Sequence, residues 1–264
     1  MKRFDRLEFD HAQPVELGQS HQQQQRERAP DHDQHYWMRS ATDHRRRGLF
    51  EEALKLYSRA LELDRSLVEG WTAQVRMLIA MGEYPEAELW SRKALELFKN
   101  NPDLLAGRCQ ALCRTGDLKT AAAISDSAVS QQGAGSYPWM ARGELMLARK
   151  ERLDDYCFDK AVQLDDDWLV PLEIGDIFLH YRRAAKALSR IKQAVEKAPD
   201  SAYCWYRQGA CELELGLSGP ASKSLSRCLQ LEPKHADARK ALAEMAGGRG
   251  SIRRFFRRLF WFIE

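Results

Sequence analysis

The chain has 264 residues, of which 44% are hydrophobic and 30% charged, values ordinary for a soluble protein rich in surface helix. The net charge is +3, and residues 249–264 hold five arginines and one glutamate, which leaves −1 on the rest of the chain. This distribution excludes a chain-wide nucleic-acid surface and places any attraction to anions at the C-terminus.

The cysteines and the hydropathy pattern indicate the compartment. The six cysteines form no C-x-x-C pair, and in a chain of this size we interpret them as reduced thiols in a reducing compartment. The N-terminus is basic but has no apolar run of signal-peptide length, and no run of about 18 apolar residues is present to span a membrane. We therefore expect a cytoplasmic protein without a transmembrane helix.

Residues 1–33 are rich in glutamine and histidine. Such a polar tract buries too little apolar surface to offset the entropy of ordering, so the sequence predicts a disordered N-terminal segment. Asp31, His32, Asp33 and His35 are capable of binding metal, but no further ligand accompanies them and no metal site is expected.

From residue 34 the sequence repeats with a period near 34 residues, which is the signature of a solenoid or array. Each unit has apolar residues at helical spacing, then a turn, then a second helical run. The second run carries small residues seven positions apart, with a large apolar residue such as Tyr57 or Phe158 between them. The first small residue of each unit is Ala53, Ala87, Ala121, Asp154, Ala187 and Ala221.

The pattern resembles the tetratricopeptide repeat family, whose unit has an aromatic residue, a small residue four positions on, then alanine, a large apolar residue and a closing proline. The last full unit carries these residues at Trp205, Gly209, Ala221, Leu225 and Pro233. The resemblance implies an all-α fold, a right-handed superhelical solenoid of about six antiparallel helix pairs. The predicted units are 34–67, 68–101, 102–135, 136–167, 168–201 and 202–235.

Units four and five depart from this pattern. They lack the glycine of the turn between the two helices and have Lys150 and Arg182–Arg183 there, and Asp154 replaces an alanine. We expect the superhelix to be least regular between residues 149 and 185, which favours a bend or specialised contacts in this region.

Beyond the repeats the sequence predicts a capping helix, 236–246, and a separate segment, 247–264, which begins with a glycine-rich break. In this C-terminal tail, apolar residues fall on one face of a helix and arginines on the opposite face. The apolar face is Ile252, Phe255, Phe256, Leu259, Phe260 and Ile263, the basic face is Arg253, Arg254, Arg257 and Arg258, and Trp261 adds a further aromatic ring.

The tail could bind to any one of three surfaces: a membrane, another protein chain or the solenoid of its own chain. A helix of about twelve residues reaches about 18 Å, which is too short for a hydrocarbon core of about 30 Å. A basic face with aromatic anchors is typical of a helix that lies in an anionic membrane interface. The same residues could instead dock into a partner protein or a second copy, or pack against the chain's own solenoid.

The resemblance also implies that the first helix of each unit lines a concave face. Mapped onto this sequence, the N-terminal half of that face is basic and the C-terminal half is apolar to acidic. The lysine and asparagine set by which some family members grip a C-terminal carboxylate is not reproduced, which disfavours a chaperone-tail co-adaptor. The predicted partner-binding groove comprises Arg46, Arg76, Gln110, Arg114, Glu144 and Tyr206.

No catalytic motif is found, since G-x-S-x-G, H-E-x-x-H, the P-loop and G-x-G-x-x-G are all absent from the sequence. We expect no enzymatic activity, cofactor, metal or nucleic-acid partner. The favoured interpretation is a scaffold or adaptor that binds a protein partner in the groove and attaches to a membrane surface through its tail. The alternative is a regulatory or assembly subunit whose tail docks into a partner protein, such as an enzyme or a secretion component.

Overall fold

The structure, a computed structural model, describes residues 32–247; most of the predicted disordered segment and the whole basic-aromatic tail lie outside them. These residues form thirteen α-helices and no strand, which confirms the predicted all-α class. None of the described helices is long and apolar enough to span a membrane. The helices are α1 Gln34–Arg46, α2 Phe50–Leu63, α3 Val68–Ala80, α4 Tyr84–Leu97, α5 Pro102–Thr115, α6 Leu118–Ser130, α7 Ser136–Ala148, α8 Asp154–Leu164, α9 Leu169–His180, α10 Ala184–Lys197, α11 Ala202–Glu214, α12 Ser218–Leu231 and α13 Ala236–Ala246.

The helices are arranged as six pairs followed by one single helix. Each unit range from 34–67 to 202–235 contains one pair, and α13 occupies 236–246. Helices that follow one another in the chain pack together, from α1 on α2 through to α12 on α13. This arrangement is that of a solenoid, in which each unit buries its apolar face against its neighbours.

The small residues of the repeat form the centre of the core. The first small residue of each second helix is fully buried as alanine in five units, and Asp154 is 6% exposed in the fourth. The Asp154 carboxylate accepts a hydrogen bond from Lys186 Nζ at 3.0 Å, which explains how an acid occupies an alanine position. A buried carboxylate is tolerated when a cation pairs with it.

Glycines on the first helices let large side chains of the second helices approach the backbone. A Cβ added to Gly143 would lie 2.5 Å from the Phe158 ring, and one added to Gly209 would lie 2.7 Å from Leu225. Both large side chains are fully buried. The distance between the paired helices is therefore set by contact of a large side chain with a glycine, which has no side chain.

The turn within each unit contains one residue in the left-handed region. In five units the amide of this residue donates to the carbonyl three residues before it, whereas the Gly116 amide of unit three donates to Leu112, four residues before it. The Lys150 amide donates to the Leu147 carbonyl at 3.1 Å, and the Gly82 amide donates to the Ile79 carbonyl at 3.1 Å. The missing glycines of units four and five therefore do not alter the turn, although α8 has only 11 residues. The residues of these six turns with positive φ are Gly48 (75°), Gly82 (81°), Gly116 (91°), Lys150 (59°), Arg182 (59°) and Gly216 (75°).

We predict that Gly143→Ala destabilises the chain, because its methyl group would overlap the Phe158 ring. Overpacking of this kind costs about 1–3 kcal/mol, measured as a lower urea midpoint. The control is Gly219→Ala in α12, where an added Cβ meets no atom within 4 Å. Alanine there should change the stability by less than about 1 kcal/mol, because Gly219 is the second residue of the helix and precedes Pro220. Equal midpoints for the two variants would contradict the packing described above.

Candidate functional site

The concave face of the solenoid is bridged by the chain's own side chains. At the end of the first unit's first helix, Arg45 pairs with Glu173 on α9 and Arg46 pairs with Asp167 just before α9. Arg47 lies 3.2 Å from the Glu232 carboxylate at the end of α12. The superhelix therefore curls far enough for unit one to contact units five and six.

The Glu173 cluster is the central contact of this face. Its carboxylate accepts hydrogen bonds from two arginines, Arg45 and Arg76, and the Arg76 guanidinium also lies 4.1 Å from the centre of the Tyr137 ring. Burial alone would raise the pKa of Glu173, but the two positive charges outweigh it and lower the pKa to about 2. Glu173 is therefore ionised at neutral pH, and it joins the first two units to the fifth.

A second cluster surrounds Glu144, whose side chain is fully buried. The carboxylate accepts hydrogen bonds from Arg114 Nε, from Gln110 Nε2 at 2.7 Å and from the Tyr181 hydroxyl at 3.3 Å. Burial and the nearby Glu144 charge both raise the pKa of Tyr181, so this phenol remains a donor. A buried charge with several donors is stable only while all of them remain in place.

The units are also joined by aromatic contacts across the face. A Cβ added to Gly48 would lie 2.3 Å from the Tyr203 ring, so the turn of unit one packs directly on unit six. Phe50 meets the same ring edge-on, with centroids 6.1 Å apart, and Tyr84 meets His180 at 5.9 Å. These contacts join unit one to unit six and unit two to unit five.

A cavity of about 180 Å³ remains between the two clusters. Its charged lining residues are Arg76, Arg114, Arg207, Glu173 and Asp176. The other lining residues are mainly apolar and include Phe50, Met77, Ile79, Met140, Ile177 and Leu179.

His180 also lines this cavity. Its Nδ1 atom is buried without a hydrogen-bond partner among the described residues. Burial and the charges of Arg114 and Arg182 lower the pKa of His180 to about 3, so the imidazole is neutral at physiological pH. It therefore contributes a polar but uncharged group to the cavity wall.

The predicted groove residues divide into three sets. Gln110, Arg114 and Glu144 form one hydrogen-bonded cluster inside the chain. Arg46 and Arg76 are each paired with a carboxylate of unit five or of the segment just before α9. Tyr206 is 6% exposed and lies against the His235 ring, with centroids 4.7 Å apart. Contact of these six residues with a partner remains a prediction.

Sequence reasoning missed the acidic side of the site. Glu173 and Asp167 lie 128 and 121 residues after the arginines that they bind, Arg45 and Arg46, and no local pattern links them. The predicted tail residues, 252–263, lie outside the described part of the chain. All six cysteines are buried and unpaired, and the described residues contain no group of three His, Cys, Asp or Glu side chains able to hold a metal ion.

Comparison with known proteins agrees with this architecture. The pattern that defines the tetratricopeptide repeat matches residues 38–103. The chain is similar to the tetratricopeptide repeat family over these residues. It is 24% identical over 195 residues to Hsp70-Hsp90 organizing protein 1 of Glycine max, a match that covers 70% of this chain and 33% of that protein. The chain thus spans about a third of the length of this curated relative.

Two solved structures resemble this chain to different degrees. A thermophilic TPR protein of Thermus thermophilus superimposes with a TM-score of 0.52 at 19% identity, covering 68% of this chain and 99% of that one. The APC/C hetero-tetramer Cut9–Hcn1 matches with a TM-score of 0.47 at 14% identity, covering 79% of this chain and 42% of that one. The first of these likenesses shows the shared fold. Tetratricopeptide repeat solenoids generally mediate protein–protein interaction.

We predict that Glu173→Gln removes a pH-dependent part of the stability. The pKa of Glu173 lies below its ordinary value of 4.5, so the ion pair contributes fully above about pH 5 and is lost as the pH falls toward 2. A shift of this size corresponds to about 3 kcal/mol at pH 7. Denaturation at a series of pH values should show a large loss at pH 7 that shrinks as the solution is acidified.

The control for this prediction is Glu232→Gln, which removes a more exposed pair with Arg47. Such a surface pair contributes about 0–1 kcal/mol, so the variant should behave like the unsubstituted protein. A similar loss in both variants, or a loss at position 173 that does not depend on pH, would contradict the role assigned to Glu173.

Proposed function

We propose that this protein is a non-catalytic interaction scaffold whose concave face binds a partner segment that carries both acidic and apolar side chains. The observation that supports this most directly is the cavity lined by Arg76, Arg114 and Arg207, since its other lining residues are mainly apolar. Arginine forks recognise carboxylates, and an apolar side chain gains free energy when it leaves water for such a wall.

Binding of this kind would exchange one set of ion pairs for another. A partner carboxylate would replace Asp167 at Arg46 or Glu173 at Arg76. Breaking either pair without replacement leaves a partly buried charge unpaired, so a partner without acidic groups would be disfavoured. The Arg46–Asp167 pair is more exposed than the Arg45–Glu173 pair, which makes it the favoured point of entry.

We further propose that residues 252–263 attach the scaffold to an anionic membrane surface. The support is the sequence pattern, in which arginines occupy one helical face and aromatic and aliphatic residues the other. The alternative is that the same residues insert into a partner protein. The vesicle-binding experiment below distinguishes the two possibilities.

The groove proposal predicts that Ala80→Trp blocks binding. Ala80 is exposed and lines the cavity, so an indole there would occupy the mouth without overpacking the core. The probe is a fluorescein-labelled peptide of alternating glutamate and leucine, measured by fluorescence anisotropy. We expect the affinity to fall by at least about tenfold, a loss of about 1.4 kcal/mol.

Two comparisons make this experiment specific. Ala243→Trp, at an exposed position on α13 away from the cavity, should leave the affinity unchanged. A peptide with lysine in place of glutamate should bind neither variant nor the unsubstituted chain. Unchanged affinity in Ala80→Trp would disprove binding at the cavity.

The tail proposal predicts that phosphatidylserine vesicles bind the full chain and not a chain that ends at Gly248. Salt should weaken this binding without abolishing it, because screening leaves the apolar insertion intact. Phe256→Ala combined with Phe260→Ala keeps every charge and should reduce vesicle binding strongly. Release of a stoichiometric protein by this variant, with no change in vesicle binding, would instead favour the docking alternative.

A further inference from the structure

Two adjacent units place a basic residue where the other four place glycine. The left-handed turn position is glycine in units one, two, three and six, whereas it is Lys150 in unit four and Arg182 in unit five, each with φ of 59°. The two residues are 32 positions apart, which is one repeat. Their side chains therefore start from equivalent points on the same edge of the solenoid.

This choice of residue works against stability. A residue with a Cβ is strained in the left-handed region, and glycine is not. Since the turn has the same hydrogen bonds in units with and without glycine, glycine would be compatible with both positions. Strained backbone residues are concentrated at functional sites, so the strain at Lys150 and Arg182 indicates a function for their side chains.

The two strained residues belong to a cluster of unpaired cations. Lys150, Arg152, Arg182 and Arg183 are all exposed. Within residues 32–247, none of these four side chains forms a hydrogen bond or an ion pair. None of the four side chains therefore forms a contact ion pair in the described chain, and the carboxylate whose charge interacts with Arg182 is Glu214.

The nearby carboxylates are already engaged. Glu151 lies 2.7 Å from Arg149 Nε, and Lys186 Nζ lies 3.0 Å from Asp154 and 2.7 Å from Asp155. These three acids therefore pair with other cations, and with Glu214 near Arg182 the cluster still keeps a net positive charge.

The four cations line a cleft of about 660 Å³ on this edge. Its other lining residues are the apolar Leu147, Ala184, Ala185 and Leu215, together with Glu151, Asp154 and Lys186. The cleft lies between the turn of unit four and the turn of unit five, and reaches Leu215 at the turn of unit six.

We propose that this edge cleft is a second binding site, one that takes an acidic peptide segment of a partner protein. Planar guanidinium groups on Arg152, Arg182 and Arg183 match carboxylates bidentately, and the apolar floor accepts a small side chain between two acids. A flat bilayer would meet only the rim of a concave cleft, and a nucleic acid would need a longer basic track than two turns provide. The site is separate from the concave face and does not rest on the proposed groove function.

The test is the double substitution Lys150→Gly with Arg182→Gly, which removes both strained cations and keeps the turn. The probe is a fluorescein-labelled octapeptide of glutamate, measured by anisotropy at low salt with the full chain. We expect the affinity to fall by at least about tenfold. The unfolding temperature should rise in the same variant, because glycine relieves the strain at both turns. A protein damaged by the substitutions would instead show both a weaker affinity for the peptide and a lower unfolding temperature.

Three comparisons complete the experiment. Lys223→Ala with Arg227→Ala removes two exposed cations from α12 and should keep the affinity, which separates the cleft from net charge. Ala80→Trp blocks the concave cavity and should also keep it, which separates this site from the proposed groove. Phosphatidylserine vesicles and a single-stranded oligonucleotide serve as competing ligands.

Several results would overturn the proposal. These are equal affinity in the double glycine variant and the unsubstituted chain, an equal loss in the α12 variant, or a lower unfolding temperature in the glycine variant. Tighter binding of the vesicles or of the oligonucleotide than of the peptide would assign the cluster to another class of ligand.

Discussion

Contact between a large side chain and a glycine or alanine is the constraint on which the rest of this structure depends. Phe158 against Gly143 and Leu225 against Gly209 fix how closely the two helices of a unit approach. Because similar contacts recur in successive units, each unit is displaced from the last by a similar small rotation. The sum of these rotations brings unit one against units five and six, so side chains far apart in sequence become neighbours.

The ion pairs of the concave face follow from this closure. Arg45 and Arg76 converge on Glu173 only because three different units meet there. Desolvation of such charges is costly, and it is offset here because each buried carboxylate has more than one donor. The concave face is thus largely satisfied by the chain itself, and a partner must offer groups that can take the place of Asp167 or Glu173.

The local features of the fold could be predicted from the sequence, and the contacts across the superhelix could not. Helix pairs and the capping helix follow from periodicity within about 34 residues, which is why Ala53 and its equivalents are recognisable as core. The pairing of Arg45 with Glu173, or the contact of Gly48 with Tyr203, depends on rotations accumulated over several units. Lys150 and Arg182 were recognisable as departures, but only the structure shows that the turn is kept and the residues strained.

The packing of Gly48 on Tyr203 has a consequence for how the molecule unfolds. In an open array each unit interacts only with its neighbours, so the stability is a sum of adjacent terms and the ends fray first. Here the first unit is also held by the sixth through this ring and by the fifth through Glu173. The N-terminal repeat is consequently a shared structural element, and its loss would expose Tyr203 and leave Glu173 with Arg76 as its remaining arginine partner. Closure thereby turns a linear stack into a single cooperative unit.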